Sequence, residues 1–304
     1  MSNRKLNQKY RMVGLLFALP WLIGFLLFQL YPIIKAIYNS FTEYNVFSAA
    51  QWVGLANYKE MLHDASIPKS LGNTAYMSFI GLPVGLFFAL LVALLLNSNV
   101  KGLSVFRTIY YIPSVVPIVA AAAVFIWILN PEYGLLSGVL RPFGITLPSF
   151  VYNPAYTKPG LIIMDTWRCG QSAIIFLAAL QAVPKSYYEA AQIDGANAFQ
   201  RFFKITLPSI SPTVLFLFVT GLIGALQYFS QGFVFASVTN ASQKAGGGPS
   251  NSLLFYSTYL YSSAFSYLRF GYASALAIVL LVIIMVSTFL MFKLSDNSIN
   301  YSQE

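Results

Sequence analysis

Six stretches of this chain, at about 12–31, 74–96, 109–129, 160–183, 212–235 and 272–293, are apolar for roughly 20 residues or more. At 1.5 Å per residue, about 20 residues make ~30 Å of helix, the thickness of a bilayer's hydrocarbon core. In lipid every backbone N–H and C=O must find its partner within the protein, so segments of this length are read as helices. The composition agrees. The chain of 304 residues is 57% hydrophobic and only 9% charged, against about 25% charged in a soluble domain. Eighteen Lys and Arg with nine Asp and Glu cannot coat a water-soluble globule of this size. The expected fold class is therefore all-α, a polytopic transmembrane helical bundle with six spans, and a cytosolic enzyme is excluded.

The first span follows a basic leader, Met1–Arg11. Its apolar run is too long for a signal-peptide core and no small-x-small cleavage site follows, so an uncleaved anchor helix is expected. The third span carries Pro113 and Pro117, and the fourth carries Asp165 and Arg168. Proline is tolerated there when neighbouring helices satisfy the freed carbonyls. Segments 1–11, 97–108, 184–211 and 294–304 hold Arg4, Lys5, Lys9, Arg11, Lys101, Arg107, Lys185, Arg201 and Lys204. Their density of cations is roughly twice that of the alternate loops, which the positive-inside rule assigns to the cytoplasm. The resulting organisation is a cytoplasmic leader (1–11), a transmembrane domain (12–293) and a cytoplasmic tail (294–304), with both termini inside. The net charge of +9 is then a topology device, and no nucleic-acid partner is needed to explain it.

The inner loop 184–211 is long, charged and patterned. Ser186 and Glu189 fit a capping box that starts a helix after Pro184. Ala190, Ala191, Ile193, Ala196 and Ala198 give a thin apolar face, and Gly195 marks a bend between two short helices. Phe199, Phe202, Phe203 and Ile205 follow at helical spacing, so the second half is expected to lie against the inner ends of the bundle. Two readings fit. The loop is either an amphipathic helix resting on lipid headgroups or a small-residue helix shaped for another protein's groove, with Glu189 or Asp194 pairing to that partner's arginine.

The run Glu189-Ala190-Ala191-x-x-Asp194-Gly195-Ala196, continuing to Ile205, Leu207 and Pro208, resembles the EAA motif of ABC-importer permeases, with every core position present. Phe106-Arg-Thr-Ile-Tyr-Tyr-Ile-Pro113, Gly247-Gly-Pro249 and Leu30-Tyr-Pro-Ile-Ile resemble the carbohydrate-uptake branch, of the maltose- or glycerol-phosphate-importer type, and its first permease subunit. The resemblance implies a type I importer fold in a bacterial cytoplasmic membrane. It also implies that these motif residues couple the chain to ATPases. The implied partners are a second homologous permease, two ATP-binding subunits, an extracytoplasmic substrate-binding protein and a sugar or related polyol. No Gly-x-x-x-x-Gly-Lys-[Ser/Thr] cradle occurs, so ATP and Mg belong to the partner subunits and this chain carries no cofactor and no catalytic residue. With one His and one Cys, no metal site or disulfide framework is expected.

Polar residues inside spans are functional candidates. In the fourth span Asp165, Arg168 and Ser172 fall on one face with Gln171 adjacent; in the fifth, Thr220, Gly224, Gln227 and Gln231 form another stripe. Arg168, Gln171, Gln227, Tyr228 and Gln231 are the candidate substrate pathway, with Tyr228 available to stack on a sugar face. The bland alternative is an intrahelical Asp165–Arg168 pair and glutamines that bridge helices. An ion-coupled secondary transporter is the competing function, with Asp165 its one acidic candidate within the spans.

Overall fold

The computed structural model describes residues 3–98, 102–239 and 246–295. Lys101, Lys244 and the tail from 296 lie outside them, as do the side chains of Arg4, Lys5, Lys9 and Arg11. The chain is helical almost throughout. In order, the helices are α1 (Asn3–Phe25), α2 (Tyr31–Ser40), α3 (Ala56–His63), α4 (Ser66–Tyr76), α5 (Leu82–Leu96), α6 (Leu103–Val115), α7 (Ile118–Ile128) and α8 (Leu135–Leu140). They continue with α9 (Thr157–Trp167), α10 (Gly170–Ala182), α11 (Lys185–Ile193), α12 (Ala198–Arg201), α13 (Leu207–Ser209), α14 (Ser211–Leu226), α15 (Ser230–Thr239), α16 (Tyr256–Tyr261) and α17 (Phe270–Ser295). Single π turns join α1 to α2 and α4 to α5, so each pair runs on as one long helix. A two-residue antiparallel ladder, β1 (Thr42–Glu43) with β2 (Gln51–Trp52), is the only sheet among the described residues.

Four helices are long and apolar enough to cross a membrane: Leu16–Ser40, Ser66–Leu96, Ser211–Thr239 and Phe270–Ser295. The third and fourth expected spans are each broken. Leu103–Val115 and Ile118–Ile128 meet at 100°, and Thr157–Trp167 and Gly170–Ala182 meet at 50°, so the total is six only if each bent pair is one span. The first break has a plain cause. Val116 is extended (ψ 130) because it precedes Pro117, and the proline ring disfavours a helical residue before it. Helix α1 begins at Asn3, inside the segment read from sequence as a leader.

The chain divides into two compact units, Met1–His63 with Ser263–Val279, and Asp64–Ser262 with Leu280–Glu304. In the first, Phe41 stacks on Trp52 with ring centroids 5.5 Å apart, and the Asn57 side-chain amide donates to the carbonyls of Ser40 and Thr42. Arg269 makes a two-pronged bond to Glu60 across the surface. On the helix Leu16–Ser40 the side chains of Phe17, Trp21 and Phe28 are exposed, an arrangement that a hydrocarbon solvent permits and water opposes.

In the second unit two apolar clusters form. Ala89 and Ala93 of α5 pack along α10 against Ala173, Phe176 and Leu180. The side chains of Ala89, Ala93 and Ala173 are fully buried, so small residues at four-residue spacing let these helices approach closely. The other cluster joins Met77, Phe125, Leu129, Met164, Tyr228, Phe235 and Phe255. Small residues recur every four positions along this helix with two different uses: Ala89 and Ala93 pack in the core, whereas Gly81 and Gly85 open onto a cavity.

Candidate functional site

The cavity, about 460 Å³, is built by α5, α9, α10, α14 and α15 with Ile118 at the start of α7, within the size range of small-ligand sites (about 300–1,000 Å³). Its polar lining comes mainly from two places where helices stop. Helix α9 ends at Trp167, so Asp165 and Arg168 sit in its last turn and cap. Helix α14 ends at Leu226 and α15 starts at Ser230, which places Gln227, Tyr228 and Phe229 in the gap and Gln231 just beyond it. All six line the cavity, with Cys169, Ser172 and Ser230.

The hydrogen bonds at this wall differ from the bland sequence alternative. Tyr228 Oη donates to Asp165 Oδ2 at 2.8 Å. Arg168 Nη2 donates to the Val116 carbonyl at 3.0 Å, at the break between α6 and α7. Asp165 and Arg168 thus bond to other helices and not to each other. Helix α9 is already ending at Arg168, which removes the regular spacing that an intrahelical pair requires.

Of the pathway residues expected from sequence, Arg168, Gln227, Tyr228 and Gln231 come together and Gln171 does not: it is exposed and absent from the lining. Thr220 is also exposed, its hydroxyl donating to the Phe216 carbonyl. The stripe Thr220–Gln231 assumed one unbroken helix, and the break after Leu226 resets the register. Tyr228 is only 7% exposed and packs on Phe255 with centroids 4.9 Å apart. A ring held this way is not free to stack on a sugar. The aromatic side chain on the wall that sequence reasoning missed is Phe229, packed beside Phe233 and Tyr261.

The loop between α10 and α14 forms the second candidate site. Helix α11 starts directly after Pro184, with no side-chain cap and no buried residue. The capping box expected at Ser186 and Glu189 is therefore not formed, because Ser186 is already inside the helix. A capping box appears instead at Asn197 and Gln200, opening α12. Between them Gly195 adopts φ +75°. Gly195 N–H bonds to the Gln192 carbonyl and Ala196 N–H to that of Ala191 at 2.8 Å, the paired bonds of a Schellman turn. Nothing lies within 4 Å of where a Gly195 Cβ would be, so backbone conformation alone selects glycine.

This turn opens a groove of about 390 Å³ lined by Ala191, Asp194, Gly195, Ala196, Arg201 and Ile205, among others. Glu189 and Ala190 are exposed on α11 outside the groove, and Leu207 and Pro208 start α13 beyond it. Tyr188 and Thr206 share a hydroxyl hydrogen bond of 2.9 Å that fixes α11 to the π turn Phe202–Thr206. The aromatic face expected against the bundle is only partly so. Ile205 packs on the apolar cluster, but Phe199 is 72% exposed and pairs with Phe203 in solvent. The new start at Asn197 turns Phe199 outward, and Ile193 of α11 is 87% exposed as well.

Apolar helices with a polar cavity among them, and an exposed helical loop between two spans, define a multi-pass membrane permease. The family model described as "binding-protein-dependent transport system inner membrane component" matches residues 81–300, and the chain belongs to that family. It is 38% identical over 306 residues to a probable ABC transporter permease protein, YesP, of Bacillus subtilis (strain 168), covering 100% of this chain and 97% of the relative. It is 33% identical to the arabinooligosaccharides transport system permease protein AraP of the same organism, covering 93% and 88%. The lactose transport system permease protein LacF of Rhizobium radiobacter is 31% identical, covering 96% of both chains. Among solved structures, a chain of a bacterial ABC transporter involved in the import of the acidic polysaccharide alginate superposes with a TM-score of 0.81 at 25% identity. That match covers 98% of this chain and 100% of that one.

Proposed function

We propose that this chain is the membrane-spanning half of an ATP-driven importer of an oligosaccharide or related polyol. It would work with a second homologous permease, two ATP-binding subunits and an extracytoplasmic binding protein. Each bent helix pair counts as one span, giving six, with both termini in the cytoplasm. The observation that carries this reading is the exposed, unburied helix α11 ending in a glycine-dependent turn. It presents Glu189, Asp194 and the groove beside Arg201, a surface made for a protein partner. ATP-driven closure of the ATPases would move this loop as a rigid piece, since Tyr188–Thr206 and Ile205 fasten it to the bundle. In the cavity, Gln227, Gln231 and Ser172 offer the amide and hydroxyl groups a polyol needs, with Phe229 the apolar surface beside them.

The test is uptake of labelled oligosaccharides by vesicles carrying the chain with and without its ATPase partners. Uptake that requires ATP and those subunits is expected. Uptake that survives their loss and collapses with the ion gradient would replace this reading with an ion-coupled carrier.

A further inference from the structure

Three helix breaks meet at the cavity wall, and two side chains one helical turn apart join them. We infer that Asp165 and Arg168 are positioning residues that bind the breaks at 116–117, 168–169 and 227–229 into one unit, so that the three interrupted spans rearrange together. The inference rests on reading the cavity as the translocation path.

A helix that stops inside a membrane domain leaves carbonyl groups without intrahelical partners, and in an apolar setting each needs a donor. Val116, the residue closing α6 before Pro117, has its carbonyl satisfied by Arg168 Nη2. Arg168 is itself the residue at which α9 stops, so one side chain starting at one break closes another. Asp165, three residues earlier, accepts from Tyr228, which lies in the third break. The two ionisable groups thus point to different helices. Beyond the kink Gly170 sits against α6 so closely that an added Cβ would lie 2.1 Å from the Tyr110 carbonyl oxygen. The start of α10 is therefore held against α6 by backbone apposition, and the α6–α7 break by Arg168. Phe255 secures the third break from behind: it packs on the Tyr228 ring and covers Gly232, where a Cβ would lie 2.4 Å from the Phe255 ring.

The test uses Cys169, the only cysteine of the chain, which lines the cavity at the central break. Its rate of modification by a small thiol reagent is measured in membrane vesicles without substrate or nucleotide, so the outcome does not depend on the transport assignment. Tyr228→Phe removes one hydroxyl and keeps the ring on Phe255; Arg168→Gln and Arg168→Lys remove the bond to Val116 with and without loss of charge. Each is expected to change the rate roughly three- to tenfold, the range for one interhelical hydrogen bond in a membrane. Tyr228→Phe combined with Arg168→Gln should change it no more than the larger single effect. In the assembled transporter the maximal uptake rate should fall while the substrate concentration at half-rate stays within about twofold. Unchanged labelling in all variants, or a double-variant effect equal to the product of the singles, would overturn the inference. So would a rise in half-saturating substrate with labelling unchanged, which would make these residues substrate ligands.

Discussion

Replacing Gly195 with alanine should weaken the grip of the ATPase partner without unfolding the chain. The residue sits at φ +75°, where an L side chain with a Cβ is disfavoured by roughly 1–2 kcal/mol. No steric cost is added, because the space around the position is open. The strain is local, since no residue of α11 is fully buried, so it is relieved by loosening the turn that sets Asp194 and Ala196 at the groove. A docking-competent population lowered by about 1–2 kcal/mol raises the dissociation constant for the ATP-binding subunit about 5- to 30-fold. Titration of the purified ATPase onto the chain in lipid nanodiscs measures this directly, with thermal denaturation of the chain alone as the control. Gly195→Asn should recover most of the loss, because asparagine tolerates the left-handed region. If alanine binds the ATPase as tightly as glycine, or asparagine is as damaging as alanine, the turn is not what presents the partner surface.

Gly170→Ala forces a Cβ to within 2.1 Å of the Tyr110 carbonyl oxygen. The obstructing atom is backbone, so α10 and α6 must part, at about 3 kcal/mol, the upper end for overpacking; thermal unfolding in detergent should drop by several degrees, and an unchanged Tm would contradict the apposition. Asn73→Ala removes an amide that donates to the Asn251 and Leu254 carbonyls and an oxygen that accepts from Lys158. Stability should fall by about 1–3 kcal/mol, with faster protease cleavage within 246–255; a cleavage rate equal to the native one would show that this side chain does not hold the loop. Glu60→Gln, by contrast, disturbs a pair whose side chains are each 46% exposed and should change stability by less than about 1 kcal/mol, a larger loss marking a network that the exposed geometry does not explain.

The long apolar runs were legible because lipid imposes a length and an internal hydrogen-bonding rule on each of them. What they concealed was continuity. Pro117 announces a break, but the stop at Arg168–Cys169 carries no proline or glycine before it, and the gap Gln227–Phe229 looks like ordinary helix. Across the stop at Arg168, Ser172 still reaches the cavity and its neighbour Gln171 does not, and nothing local to Tyr228 reveals that its ring packs on Phe255, distant in sequence. Phe229 was overlooked because an unbroken α14 would place it off the Gln227–Gln231 stripe. In the loop, Gly195 was legible because a lone glycine in an alanine-rich run has few other uses. Ser186-x-x-Glu189 and Asn197-x-x-Gln200 have the same capping form in sequence, but α11 starts directly after Pro184, so only the second forms a capping box.

The central claim is that the segment joining α10 to α14 is held by an ATP-hydrolysing partner. Its most direct test is the double charge reversal Glu189→Lys with Asp194→Lys in the full chain, read by how much ATPase subunit co-purifies from membranes and by ATP-dependent sugar uptake. The expected result is loss of both, with the chain present in the membrane at its normal level. Retention of both co-purification and uptake would contradict it.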